Sequence, residues 1–208
     1  MKIINVMAGG PSLNLPIGWQ QTEGNWIGAD HGNITLLNAG ITPDIAVGDF
    51  DSLSKDEKFS ASRIISVDAI KDDTDTELAI RLAGEEKPDQ INIFGATGGR
   101  LDHEMVNLFF VLRDDFANLL DKIKIIDYKN IINFTDSSRP IDFLEGYKYV
   151  SFMNMTAVKN LSILGAKYQL EHFNSAVPRM FSSNEFVNGN PISLEFESGV
   201  LMFIYSKD

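Results

Sequence analysis

Cysteine is absent from the 208-residue chain, which excludes disulfide staples, thiolate zinc sites and cysteine nucleophiles. Histidine is scarce, at positions 31, 103 and 172 only, so a histidine-built metal centre is not expected. Basic residues are also in short supply: 18 Lys and Arg stand against 29 Asp and Glu, for a net charge of -11. No Lys/Arg cluster interrupts that excess. A surface of this sign repels a phosphate backbone, so no nucleic-acid partner is expected. Long apolar runs are missing too. The opening stretch Ile3 to Ala8 ends in glycines and lacks the layout of a signal peptide. Nothing approaches the roughly 18 apolar residues that span a bilayer. A cytoplasmic protein with no membrane partner is therefore expected.

What is present is enough for a core: 44% of residues are hydrophobic and 23% charged, proportions typical of a folded chain rather than a disordered one. Apolar segments at Ile3 to Ala8, Trp26 to Ala29, Ile45 to Val47, Arg63 to Val67, Gln90 to Phe94 and Lys122 to Asp127 read as strands. Helices are expected at Gly32 to Ala39, from Thr74 onward, and at Asp102 to Leu120 with Met105, Leu108, Phe109, Leu112 and Phe116 on its buried face. Thr74 and Glu77 have capping-box spacing. Strands alternating with helices signal an α/β layer with a mostly parallel sheet. After about residue 135 the chain changes to short alternating segments (Tyr147 to Met153, Lys159 to Leu164, Ile192 to Phe196, Val200 to Tyr205) with turn residues between them, the pattern of an all-β sandwich. The expected division is an α/β domain over 1–134 and a β-sandwich domain over 135–208.

Three polar clusters fall at strand ends or helix starts, where α/β sheets bind ligands. In Gly48-Asp49-Phe50-Asp51-Ser52, residues two apart point the same way, so both carboxylates can face one cation. The same five residues also read as a solvated turn. Lys71-Asp72-Asp73-Thr74-Asp75 packs three acids into four residues. The helix dipole accounts for Asp75, and a divalent cation would relieve the rest. Gly95-Ala96-Thr97-Gly98-Gly99-Arg100-Leu101-Asp102-His103 places glycines after a strand, where backbone can approach a phosphate, and an arginine able to grip it with two bonds. Its spacing is neither that of the P-loop nor that of the dinucleotide fingerprint. A flexible loop with Asp102 as a helix cap is the plainer reading. Together, carboxylates and a glycine/arginine loop on one edge imply Mg²⁺ and a polyphosphate, a chemistry of positioning and charge neutralisation.

In this ordered set the chain resembles the thiamine pyrophosphokinase family. The matching motifs are Ala29-Asp30-His31-Gly32, Pro43-Asp44 with Gly48-Asp49-Phe50-Asp51-Ser52-Leu53, Lys71-Asp72-x-Thr74-Asp75-Thr76-Glu77, and Gly95 to His103. The β-rich end adds Gly165-x-Lys167-Tyr168-x-Leu170 and Ser183-Asn184-Glu185. The resemblance implies transfer of the β,γ-diphosphate of ATP to the hydroxyl of thiamine, with release of AMP. It implies a homodimer whose active sites lie between one subunit's catalytic domain and the other's β domain. By resemblance, Asp49, Asp51 and Asp75 hold Mg²⁺ and Asp75 is also the acceptor for the substrate proton. Asp30 and Asp72 lie close by, and Thr97, Arg100 and His103 hold the triphosphate. Tyr168 stacks on thiamine, and Ser183 with Asn184 meets its aminopyrimidine. His31 departs from the family's usual glycine. The competing readings are a pyrophosphokinase acting on a pterin alcohol, a phosphatase using Asp49 as nucleophile, and a nucleotide-binding regulatory module.

Overall fold

The structure, a computed structural model, describes residues 1–48, 61–66 and 73–208. It forms two compact units, Met1–Tyr128 and Lys129–Asp208.

In the first unit, strands β1 (Ile3–Met7), β2 (Asn25–Ala29), β3 (Ile45–Gly48), β4 (Arg63–Ser66), β5 (Gln90–Phe94) and β6 (Ile123–Ile126) run in the order β6-β5-β1-β2-β3-β4. Every pairing among them is parallel. The chain steps outward from β1 to β4 and then returns to the other side of β1 as β5. The order therefore reverses between β1 and β5, the place where such sheets open a crevice. Met7, Trp26 and Phe94 from the strands pack with Leu15, Trp19 and Leu36, with Trp26 lying 5.5 Å from Trp19 and 5.4 Å from Phe94 between ring centres. Two asparagines are buried in this otherwise apolar sheet. Asn92 donates to Asn5 across the β1/β5 pair at 2.8 Å, and Asn5 donates on to the Glu23 carbonyl at 3.0 Å.

Local sequence explains the helices. Helix α1 (Gly32–Asn38) ends where the sequence puts Gly40. Gly40 takes φ +76, its N–H donates to the Leu37 carbonyl, and the Ile41 N–H donates to the Leu36 carbonyl. That paired closure is the Schellman stop, which needs a left-handed residue. Helix α2 (Asp75–Glu85) starts with the expected capping box: the Glu77 N–H donates to the Thr74 hydroxyl at 3.2 Å, and the Thr74 N–H donates to the Glu77 carboxylate at 2.8 Å. Thr74→Ala should cost about 1 kcal/mol and lower the thermal midpoint by about 2–4 °C, as read by a calorimetric melt.

The expected helix at Asp102 to Leu120 is shorter. Helix α3 spans Leu101–Phe109, a 3-10 turn covers Phe110–Leu112, Arg113 is extended at φ -79 and ψ 139, and 3-10 turns run over Asp114–Lys122. Met105, assigned by its spacing to the buried face, is 45% exposed. The apolar period runs on through residue 116, but the break at Arg113 lets Phe110 and Phe116 meet edge to face at 5.0 Å, and both rings are buried.

The second unit is a sandwich of two antiparallel sheets. One sheet contains β12 (Arg179–Glu185), β9 (Tyr149–Asn154), β14 (Leu201–Ser206) and β7 (Asn130–Thr135) in that order. The other contains β11 (Leu170–Ser175), β10 (Val158–Leu164), β13 (Ile192–Glu195) and β8 (Arg139–Ile141). Val150, Phe152, Leu201 and Phe203 of the first sheet meet Ile141, Leu161, Ile163 and Leu194 of the second in one core. Residues 130–134, grouped by the sequence pattern with the α/β domain, belong to β7, which pairs along its length with β14. Burial pushes the Tyr205 hydroxyl up to about 12; it donates to the Asp142 carbonyl at 2.9 Å.

Candidate active site

The carboxyl ends of β1, β2 and β5 open into a cleft of about 910 Å³ at the reversal of strand order. Two glycine loops form its floor. The Ala8 N–H donates to the Phe94 carbonyl and the Gly10 N–H to the Gly95 carbonyl, both at 2.8 Å. A Cβ on Gly10 would run into the Gly95 carbonyl, and one on Gly95, at φ +66, would lie 2.7 Å from the Ala8 carbonyl oxygen. The loops nest backbone against backbone because neither carries a side chain. Such bare, close-lying amides are what a phosphate needs. The sequence signals the Gly95 loop as a phosphate loop but gives Gly9-Gly10-Pro11 only as a turn. Its place beside β5 becomes visible only in three dimensions.

The Gly95 loop is pinned from three directions. The Thr97 hydroxyl donates to Asp127 at 2.8 Å and accepts from Asn14 at 2.9 Å. The Gly98 N–H donates to the Glu104 carboxylate at 2.8 Å, and Asn107 donates to the Ala96 carbonyl at 2.8 Å. The Thr97 proton is therefore committed to Asp127. Arg100 stands at the cleft mouth, its side chain 73% exposed, and grips Asp102 with two bonds at 3.1 and 2.6 Å. The bond from Arg100 holds the Asp102 carboxyl below its usual range. An exposed pair of this kind contributes little to stability, so an arriving anion can displace Asp102 from the guanidinium at small cost. His103 lines the same wall.

The acidic side is built from β2 and α2. Asp30 takes φ +49 directly after β2, a left-handed conformation that aspartate tolerates. Its N–H donates to the Val47 carbonyl at 2.9 Å. Buried Asn33 fixes this turn, donating from Nδ2 to the carbonyls of Asp30 and Val47 at 3.0 Å each. Its Oδ1, which has no partner among the described residues, lies where a Cβ on Gly28 would collide. Asp75 enters the cleft from the first turn of α2. Asp73 has a different duty: it bonds Arg81 at 2.8 Å and Arg113 at 2.9 Å. Burial opposes its ionisation, but the two arginines outweigh that and hold its pKa below the usual range.

Asp30, Asp75, Thr97, Arg100 and His103 thus share one cleft, together with His31, Thr35 and Glu104. Asp49, Asp51 and Asp72 lie outside the described residues, as do Lys71 and Val67. No three acids or histidines among the described residues stand close enough to enclose a cation. The carboxylates that line the cleft offer oxygen alone, the donor chemistry of Mg²⁺ rather than of a softer metal.

In the second unit, Asn184 is buried and bonds Tyr168 in both directions: the Tyr168 N–H donates to its Oδ1 at 2.9 Å, and its Nδ2 donates to the Tyr168 carbonyl at 2.7 Å. The Tyr168 ring is left 60% exposed, with the Lys167 ammonium 5.5 Å from its centre. Lys167 is anchored by Glu185 at 2.7 Å. Ser183 sits at φ +60 where β12 shifts register against β9, its N–H donating to the Ser151 hydroxyl at 3.1 Å. The three β-domain residues picked from sequence are therefore neighbours, with Asn184 acting as the staple.

A parallel sheet with a glycine-walled cleft at its reversal point, followed in the chain by a β-sandwich, has the features of a protein that binds a phosphate-bearing ligand. Residues 19–126 match the thiamin pyrophosphokinase catalytic domain, and residues 131–201 match the thiamin pyrophosphokinase vitamin B1 binding domain. The chain is 36% identical to the thiamine pyrophosphokinase of Bacillus subtilis (strain 168), with all of both chains covered. Among solved structures, a thiamin pyrophosphokinase family protein from Enterococcus faecalis superposes with a TM-score of 0.92 at 33% identity, covering both chains fully. The thiamin pyrophosphokinase of Geobacillus thermodenitrificans gives 0.85 at 31% identity over 99% of this chain and 98% of its own. The chain belongs to the thiamin pyrophosphokinase family, whose enzymes make thiamine diphosphate.

Proposed function

We propose that the cleft of the first unit binds ATP with Mg²⁺, and that the protein transfers the β,γ-diphosphate to the hydroxyl of thiamine and releases AMP. The observation carrying this reading is the pairing in one cleft of a phosphate-shaped wall (Gly9, Gly10, Gly95, Arg100, His103) with an acidic one (Asp30, Asp75). Asp49, Asp51 and Asp75 are the proposed Mg²⁺ ligands, with Asp72 and Asp30 beside them. A bound Mg²⁺ would neutralise phosphate charge and polarise the phosphorus under attack. Arg100 exchanges Asp102 for a phosphate oxygen, His103 adds a second donor, and Thr97 keeps the loop in place. Asp75 accepts the proton from the thiamine hydroxyl. In the β-sandwich, Tyr168 presents its exposed ring to thiamine, while Ser183 and Asn184 supply polar groups. The proposed assembly is a cytoplasmic homodimer, each site completed by the other subunit's β domain.

The test is an end-product assay with Mg-ATP and thiamine. AMP together with thiamine diphosphate is the expected result; ADP with thiamine monophosphate would sink the reading, and AMP formed only with a pterin alcohol would move the acceptor. Stripping divalent cations with EDTA should abolish AMP formation, and added Mg²⁺ should restore it. Turnover that persists without a divalent cation would eliminate the proposed role of the carboxylates.

A further inference from the structure

Behind the cleft, four charged side chains close a ring and a fifth, Glu77, joins it at Arg113. The Asp73 carboxylate gives one oxygen to Arg81 at 2.8 Å and the other to Arg113 at 2.9 Å. Both arginines also meet Asp115, at 2.7 and 3.1 Å. Arg113 further donates to Glu77 at 2.8 Å. Glu77 is buried and uses its second oxygen for the Thr74 cap. Both guanidinium groups lie over the Phe116 ring, at 4.9 and 5.4 Å from its centre, and that ring is fully buried. The ring joins two pieces of chain that each carry one wall of the cleft. Asp73 lies just before the Thr74 cap of α2, Glu77 is in its first turn and Arg81 is a turn further on; this helix delivers Asp75 and Thr76. Arg113 is the extended residue in the segment that follows α3, the helix that delivers His103, Glu104 and Asn107, and Asp115 sits in the 3-10 run directly after it. An exposed ion pair would contribute little. Here the geometry is forked, networked and braced on an aromatic face, the arrangement in which charged groups fix orientation.

We propose that Arg113 is a positioning residue for the transfer reaction: through Glu77 and Asp73 it holds the first turn of α2 so that Asp75 meets the cation and phosphate in the cleft. The inference rests on the proposed role of Asp75. Arg113 itself does not line the cleft. Its guanidinium acts on the reaction only by fixing the backbone that carries the carboxylate, as outer partners fix metal ligands.

The experiment compares Arg113→Met, Arg113→Lys, Asp115→Asn and Asp75→Asn. Three quantities are read: Mn²⁺ affinity by electron paramagnetic resonance, amide hydrogen exchange over residues 74–77, and kcat with the KM for thiamine. Arg113→Met should weaken Mn²⁺ binding and lower kcat by about tenfold or more, speed exchange of the 74–77 amides, and leave the thiamine KM unchanged. Lysine keeps the charge but cannot fork between Glu77 and Asp115, so it should recover only part of the loss. Asp115→Asn, at an exposed corner of the ring, should shift the same readouts less and serves if the Met variant does not fold. A lowered melting temperature with Mn²⁺ affinity and 74–77 exchange unchanged would reduce the ring to a stabilising brace and overturn the inference. If Asp75→Asn leaves Mn²⁺ affinity unchanged, the metal role of Asp75 fails. The exchange readout then decides by itself whether Arg113 orders that turn.

Discussion

Asp75→Asn should slow AMP formation by about a thousandfold, within the range expected when a positioned base is removed, while the protein stays folded. Asp75 occupies the first turn of α2, with Thr74 and Glu77 closing the cap beside it. Asparagine has the same shape and fits that position. The attraction between a carboxylate and the helix N-terminus is about 0.3–1 kcal/mol, and its loss should lower the thermal midpoint by up to about 4 °C. The measurement is kcat/KM for AMP release, set beside a melt of the same sample. Turnover within about tenfold of the parent would mean that Asp75 neither takes the proton nor holds the ion in the transition state, since a thousandfold corresponds to about 4 kcal/mol of lost stabilisation.

Asn184→Ala should act on a different parameter. The side chain is 3% exposed and makes three bonds: two with the Tyr168 backbone and one accepted from the Glu185 N–H at 3.0 Å. Deleting it leaves those backbone groups without partners, a loss of about 2 kcal/mol and of about 4–8 °C in the midpoint. It also releases the turn that displays the Tyr168 ring, so the KM for thiamine should rise about tenfold while the KM for ATP stays constant. The control is Tyr168→Ala. That ring is 60% exposed, so its removal should raise the thiamine KM with little change in the melt. If neither variant moves the thiamine KM, this turn is not where thiamine binds.

The features legible in the sequence are those written over short spans. The Thr74/Glu77 box, the Gly40 stop and the alternation of strands with helices each depend on residues within four or five positions of one another, and the structure contains all three. The Gly95 loop could be picked out because glycines clustered after an apolar strand have few other uses. What escaped depended on distant partners. Strand β7 is defined by pairing with β14, some seventy residues on. Strands β11 and β12, with many exposed side chains, lack the alternation that marks a half-buried strand. The Asn14–Thr97–Asp127 chain draws on three separate regions. The expected Asp102 to Leu120 helix failed because an apolar period records which residues are buried and not how the backbone reaches them. Arg113 breaks the helix to reach Glu77 and Asp73, and nothing adjacent to it in sequence announces those partners.

The buried Asn5–Asn92 pair has a consequence at the far end of the same two strands. A parallel sheet covered on both faces reads much the same after a slip along its length, because every position is apolar. An amide on each of β1 and β5 breaks that degeneracy, since only one alignment lets Asn92 reach Asn5. The two glycine loops leave those strands three to five residues later and fit each other only with Gly10 against the Gly95 carbonyl. One polar rivet deep in the sheet therefore acts as an alignment key, transmitting its setting along two stiff rails to the mouth where phosphate is received.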